Sequence, residues 1–265
     1  MIYPAMPMVD YHAAEGIGSS RAKLVLDSVQ LLKDEMDGLV KHESTASTTF
    51  GTLAHTAVLE PDVFRQVTTS TGPINPGTSK PYGSDTVKFA EWQKANPHLT
   101  IVSPSLYTMI DRMPLEIRRL LASDGPSEES VFTANDGVTV KCRPDKRINR
   151  AIYDLKTIGD IDDIDKHIRT YRYWFSAAWY RKVMHVETGE PHTFDLIFAE
   201  TAAPHRWALV HLSPEYIEEG DYYVSYVLGK IARAQETGDW SDKSPIHRTA
   251  TKPEILGAFD HNIGN

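Results

Sequence analysis

The chain has 265 residues, 41% of them hydrophobic and 24% charged; that length supports a full core in one large domain or two small ones, with an ordinary globular composition. A single cysteine, Cys142, excludes internal disulfides and any multi-cysteine zinc or iron–sulfur centre within one chain. The formal net charge of −8 argues against a module that coats or wraps DNA, but it leaves room for an enzyme with a local basic surface.

In chain order, MIYPAMPMVDYHAAEG has no basic leader ahead of an apolar block, and no later stretch approaches the roughly 20 apolar residues of a membrane span, so a cytoplasmic protein is expected. GIGSS is too small a glycine signal for a phosphate loop and reads as the approach to a helix. That helix is expected over residues 20–39, capped by Ser19 or Ser20, with Leu24, Leu26, Leu31 and Leu32 as its apolar positions. STTFGTLAHTAVLEP is expected as a short helix entered from serine and threonine and stopped at Pro61. Residues 68–84, rich in Gly, Pro, Ser and Thr, form the clearest loop in the chain and are expected to be mobile. Helices are expected over 85–95 and 104–121.

The period then changes. Val138, Val140 and Cys142 alternate with Thr139, Lys141 and Arg143, the mark of a half-buried strand. A turn at Asn149-Arg150 leads into a second strand over 151–157. A long helix is expected over 164–186, with Ile164, Ile168, Tyr171, Phe175 and Ala178 along one face. TFDLIFAE and HRWALVHLS read as strands on either side of TAAP, and Ser213-Pro214-Glu215 opens a last helix toward Gln235. From Thr237 periodicity is weak and an extended tail is expected. The order predicts an α/β (α+β) chain with a central mixed sheet flanked by helices, in a single domain over 1–265. Its parts are a mostly helical stretch at 1–125, the sheet with its helices at 126–236, and a tail at 237–265.

The chemistry concentrates in CRPDKRINRAIYDLKT, residues 142–157. Five basic residues (Lys141, Arg143, Lys146, Arg147, Arg150) surround a single acid, Asp145, and by themselves read as a solvated hairpin edge protected by charge. On the following strand Ile152, Asp154 and Lys156 share one face, and Tyr153, Leu155 and Thr157 the other. Two charged groups on an apolar strand are costly if left dry and unpaired. An Asp154–Lys156 ion pair is one answer, but same-face neighbours about 7 Å apart are distant for a direct pair. A cation site is the other. Two carboxylates with a hydroxyl or carbonyl oxygen hold Mg²⁺ or Mn²⁺, and a lysine beside them orients or activates a water.

RPD followed after a hairpin by DLK resembles the active-site signature of the PD-(D/E)XK nuclease superfamily, here Pro144-Asp145 and then Asp154-Leu155-Lys156. CRPDKR…AIYDLKT is similar to one branch, the RecE-type exodeoxyribonuclease VIII nuclease domains. FGTLAHTAVLEPDVF resembles the helix carrying that branch's metal-binding histidine, here His55, and SEESVF resembles its acidic lead-in, here Glu129. YRYWFSAAWYRKV resembles the helix beside the site, with Tyr180 at the motif tyrosine. The acid–acid–lysine pattern occurs by chance in many proteins; in register with both helices the combination is specific. One departure stands out: related nucleases commonly carry glutamine four residues before the tyrosine, and this chain has Ser176, on the same helix face but with a shorter reach.

The resemblance implies a PD-(D/E)XK, restriction-endonuclease-like core and a metal-dependent exodeoxyribonuclease of linear double-stranded DNA. Digestion would run 5′-to-3′ and leave 3′ single strands for a single-strand annealing protein in phage or prophage recombination. A ring-like homo-oligomer with no membrane partner is also implied. The cofactor would be Mg²⁺, with Mn²⁺ as substitute, two ions per site, held by His55, Asp145, Asp154 and Leu155. Without the resemblance a lone helical histidine more often packs in a core; with it, His55 would bind as a neutral imidazole. Asp145, Asp154, Lys156, Glu129 and Tyr180 form the implied catalytic set, Lys156 positioning the attacking water or stabilising charge on the phosphate. Arg143, Arg147, Arg169, Tyr173 and Ser176 are candidates for DNA contact, arginine against phosphate and tyrosine against a base. Alternative readings are a structure- or site-specific endonuclease of the same superfamily, and a non-catalytic DNA-binding protein with a decayed site.

Overall fold

A computed structural model describes residues 1–40 and 46–242. A short strand, β1 (Ile2–Tyr3), leads into helix α1 (Met8–Ala13). The single helix expected over 20–39 is instead three pieces: α2 (Ser19–Ala22), a 3-10 turn over Lys23–Leu26, and α3 (Val29–Met36). Ser28 makes the break. Its backbone is extended and its hydroxyl accepts from the N–H groups of Gln30 and Leu31 at 3.1 and 3.4 Å, so it starts a new helix rather than continuing the old one.

Helix α4 (Ala46–Leu59) fills the stretch read from STTFGTLAHTAVLEP. Pro61 stops it and also opens α5 (Pro61–Val67), because a fixed φ and a missing N–H suit a first helical turn. Residues 68–84 are loop except for β2 (Thr68–Thr69), which pairs in parallel with β3 (Thr100–Ile101); between them lies α6 (Val87–Ala95), capped by the Thr86 hydroxyl. The helix expected over 104–121 is divided at Met113-Pro114 into α7 (Pro104–Asp111) and α8 (Leu115–Leu121). Proline has no N–H to donate and drives the residue before it out of the helical region.

Two larger sheets follow. β4 (Ser130–Asn135) and β5 (Val138–Cys142) form a hairpin that turns at Asp136-Gly137, both at positive φ (50° and 82°), and β1 completes this antiparallel sheet in the order β1-β4-β5. The second sheet has the order β6 (Lys146–Ile148), β7 (Ala151–Ile158), β8 (Thr193–Glu200), β9 (Trp207–His211). It is mixed: β7 and β8 run parallel, while β6–β7 and β8–β9 are antiparallel. The expected mixed sheet is therefore present, with the β4–β5 hairpin in the separate β1-β4-β5 sheet.

A parallel pair needs a long crossover, supplied here by α9 (Ile164–Thr170) and α10 (Tyr173–Thr188). The sequence reads this as one helix over 164–186, but Arg172 adopts a left-handed conformation (φ 52°, ψ 49°) and separates the two. Its guanidinium is anchored on Asp27 through contacts of 2.9 and 2.7 Å. Helix α11 (Pro214–Thr237) closes the described chain; the expected extended tail lies, beyond residue 242, outside the described residues. Among the described residues no helix is long and apolar enough to cross a membrane.

Strand β7 is packed on both faces, and its alternation decides what goes where. Ile152 and Ile158 join a core with Phe175, Trp179, Leu196 and the inner face of α11, while Leu155 joins a second core with Ala54, Leu106, Met109 and Ile197. Asp154 and Lys156 thus emerge toward α10. Helices α10 and α11 meet closely at Gly220, where a Cβ would lie 2.7 Å from the Trp174 carbonyl oxygen and 2.8 Å from the Ala178 Cβ. Gly220→Ala should therefore destabilise the fold by roughly 1–3 kcal/mol through overpacking, despite a helix-propensity gain of up to about 1 kcal/mol. Denaturant melts of the two proteins check this; a variant more stable than the parent would contradict the close approach.

Candidate active site

The site forms where the β6–β7 ladder stops. Lys146 pairs with Tyr153, and two further steps of the same register would set Pro144 opposite Leu155. Proline has no N–H to offer the Leu155 carbonyl, and the Pro144 carbonyl is taken by the Glu128 N–H at 3.0 Å. Leu155 is left with an open N–H and an open C=O on that edge. The Asp145 carboxylate accepts the N–H at 2.6 Å, and His55 Nε2 sits 2.7 Å from the carbonyl oxygen.

His55 comes from α4, which runs close to β7 at Gly51: a Cβ there would stand 3.3 Å from Thr157 Oγ1. Gly51 also orients the ring, its carbonyl accepting from His55 Nδ1 at 2.8 Å. Nε2 then points to Leu155 O and, at 3.2 Å, to Asp145 Oδ2. With oxygen acceptors facing both nitrogens, the ring carries two protons. Burial opposes that charge, but Asp145, by charge and by hydrogen bond, and the Gly51 carbonyl outweigh it and push His55 up to about 9. Asp145 responds in kind: burial favours its neutral form, yet His55, Lys156 and the Leu155 N–H hold its carboxyl below the ordinary value.

Asp154 and Lys156 pair directly, Oδ2 to Nζ at 2.5 Å. The 7 Å separation anticipated from same-face spacing applies to the backbone, and the long lysine side chain closes it. Asp154 is almost fully buried, and burial raises its carboxyl, with Lys156 opposing and Asp145 adding to the rise. Lys156 is pulled down by burial but held above its ordinary value by Asp154 and Asp145. Its Nζ also donates to the Leu155 carbonyl at 3.1 Å.

These groups suit a hard divalent cation. Once Nε2 gives up its proton, an imidazole nitrogen, the Asp145 carboxylate and the Leu155 carbonyl present lone pairs to one another, with Asp154 adjacent. Nδ1–H stays fixed on Gly51, which sets the tautomer a ligand histidine needs. Among the described residues no three His, Cys, Asp or Glu side chains group into a ready-made cage; one donor here is a main-chain oxygen, and Asp154 is turned to Lys156.

Around this centre several residues stand elsewhere than the sequence suggests. Glu129 is clamped by Arg147, whose Nε contacts Oε1 and whose Nη2 lies 3.1 Å from Oε2, so the acid expected at the site is committed to a buried ion pair. Its neighbour Glu128 is the acid that senses the centre: burial and then Asp145 raise it to about 7, against the pull of Arg143 and His55. Arg143, expected against DNA, is buried and spent on Glu128, the Ser130 hydroxyl and the Met6 carbonyl, each at 2.7 Å. Arg147 likewise holds Glu129 and, at 3.0 Å, the Asn149 carbonyl. Neither guanidinium is free for a phosphate.

On α10, Tyr173, Ser176 and Tyr180 do share a face as spaced, Ser176 buried and Tyr180 packed edge-on against Phe194 at 5.7 Å. Burial and then Asp154 raise the Tyr180 hydroxyl well above its ordinary value. Tyr173 covers the site, its ring centroid 5.7 Å from Lys156 Nζ. Burial pushes its hydroxyl up to about 12, Lys156 opposing and Asp154 adding. Arg169 falls on α9, across the Arg172 break from the other three, and is exposed. Lys23 also reaches this rim, donating to the Tyr171 carbonyl at 2.7 Å; nothing in its local sequence marks it.

Comparison with known proteins agrees with this fold. The family described as "PDDEXK-like domain of unknown function (DUF3799)" matches residues 18–246. A solved structure from Eubacterium rectale, described as a "Putative exonuclease", superposes with a TM-score of 0.63 at 16% sequence identity, covering 94% of this chain and 96% of that one. At that identity the likeness speaks for the fold. No curated protein matches the chain.

The His55 geometry has a measurable sign. A base raised above its ordinary 6.5 stabilises the fold fully below that pH and loses the contribution as pH rises through about 9. Melting temperature in EDTA should therefore fall between pH 6.5 and 9, and His55→Gln should flatten that fall. Parallel profiles for the two proteins would refute the doubly protonated ring.

Proposed function

The chain belongs to the PDDEXK-like family DUF3799, and from that premise we propose that it is a divalent-cation-dependent deoxyribonuclease acting on the ends of linear double-stranded DNA. The observation that supports the reading is the meeting of His55 Nε2, Asp145 Oδ2 and the Leu155 carbonyl oxygen beside the Asp154–Lys156 pair. Bound there, Mg²⁺ or Mn²⁺ would supply Lewis acidity to a phosphoryl oxygen and to a water. The chain's own residues do the rest. Asp145 and Asp154 provide the negative charge that retains the cation, and His55 offers a nitrogen whose direction Gly51 fixes. Lys156, steadied by Asp154, sets an ammonium where it can orient the attacking water and face the charge that builds on the scissile phosphate. Tyr173 and Tyr180 wall the site from α10 and limit access of bulk water.

The RecE-type likeness of the sequence extends the proposal to two ions per site, 5′-to-3′ digestion leaving 3′ single strands, an annealing partner and a ring-like homo-oligomer. A net charge of −8 would then keep the rest of the surface off DNA that is not being cut.

The test is cleavage of end-labelled linear duplex against closed circular plasmid, with Mg²⁺ and with EDTA. Loss of label from the linear substrate alone, only with Mg²⁺, is expected; cutting of the closed circle would make the protein an endonuclease, and no cleavage of either would sink the enzyme reading. Asp154→Asn should reduce the rate by roughly 10²–10³-fold or more with the fold intact by melting. Lys156→Ala should lower kcat by a similar factor while changing DNA affinity much less; equal losses in both would make Lys156 a phosphate-binding residue only.

A further inference from the structure

Lys23 lies on the 3-10 turn near the start of the chain, yet its ammonium reaches the rim of the site. Nζ donates to the Tyr171 carbonyl and stands 5.6 Å from the centroid of the Tyr173 ring, the ring that Lys156 Nζ approaches at 5.7 Å. One aromatic ring thus has two ammonium groups against it. The nearby acids are committed elsewhere, Asp154 to Lys156 and Asp27 to Arg172, and among the described residues Lys23 forms no ion pair. Its backbone is pinned as well, the Lys23 carbonyl accepting from Arg172 Nη1 at 3.3 Å.

A half-buried ammonium with one neutral acceptor and a like charge as neighbour is a poor structural arrangement. Burial, then Lys156, pulls Lys23 down to about 7, Asp154 opposing and Arg172 adding to the fall. An anion arriving between the lysines would relieve both costs. Beside them a strip of aromatic rings leads outward: Tyr173 stacks on Tyr171 at 5.7 Å and 23°, and His167 lies 5.0 Å beyond. Tyr171 is half exposed.

Building on the deoxyribonuclease reading, we propose that Lys23 grips a backbone phosphate neighbouring the scissile one, so that the strand being cut passes from Lys156 over Tyr173 to Lys23. A lysine serves there as a point charge, giving affinity without sequence preference. Tyr171, at the edge of that path, offers a face on which a base can stack.

Anisotropy of a labelled linear duplex in EDTA, titrated at several salt concentrations between about 50 and 200 mM, tests this. Lys23→Gln should bind roughly five- to tenfold more weakly, and its slope of log K against log salt should shrink by about 0.9, the share of one phosphate contact. Lys23→Arg should keep the parent slope. A mere brace between the N-terminal segment and Tyr171 would lower the melting temperature and leave the slope alone; that result overturns the proposal. Should Lys23→Gln fail to fold, Lys23→Met, which keeps the aliphatic stem, reads the same slope. A parent protein that binds no duplex overturns the deoxyribonuclease reading and this assignment together, whereas duplex binding with an unchanged slope overturns the assignment alone.

Discussion

A β-ladder continues only while each strand offers an N–H and a C=O at every hydrogen-bonded position, and the β6–β7 ladder loses that condition at Pro144. The next residue, Asp145, turns its carboxylate onto the orphaned Leu155 N–H, and the orphaned carbonyl is left for a donor from another element. His55 answers from α4, which approaches because Gly51 carries no side chain toward Thr157. The proline–aspartate pair is thus more than a recognition signature. The proline opens the main chain and the aspartate occupies half of the opening.

The same geometry concentrates charge that must be balanced. Asp145 and Asp154 are buried close enough for each to raise the cost of ionising the other. Each faces a cation that offsets this cost, Asp145 the imidazolium and Asp154 the lysine. A proton on His55 Nε2 and the proposed divalent ion would serve one electrostatic purpose and would exclude each other at that nitrogen. Glu128 adds a third buried acid at the border, restrained by Arg143. The fold therefore holds a negative centre inside a ring of compensating cations, an arrangement costly for stability alone.

Asp145, Asp154 and Lys156 stood out in the sequence as charges in an apolar setting, whereas His55 was marked only by the resemblance to the PD-(D/E)XK nucleases; the structure does bring His55 to Asp145. The strand alternation around Asp154 was also legible, since Ile152 and Leu155 sort into separate cores. What escaped depends on partners distant in sequence. Arg143 and Arg147 read as a solvated basic run until β4 places Glu128 and Glu129 against them. Glu128, which precedes β4 at a positive φ of 56°, is the one of the two that senses the Asp145–His55 centre, and no local pattern states that. The helix breaks differ in kind. Ser28 and Pro114 are ordinary cap and stop signals that apolar periodicity overrode, whereas a left-handed arginine at 172 has no sequence signature and exists because Asp27 receives its guanidinium.

That Arg172–Asp27 anchor, with the reciprocal bonds between Lys23 and Tyr171–Arg172, joins residues separated by about one hundred and fifty positions. The rim of the site is accordingly discontinuous in the chain, while its floor is compact in β6, β7 and the turn before them. A fragment starting after Ser28 would retain every acid of the floor yet forfeit both the latch that holds the α9–α10 corner and the core residues Ile17, Ala22 and Val25.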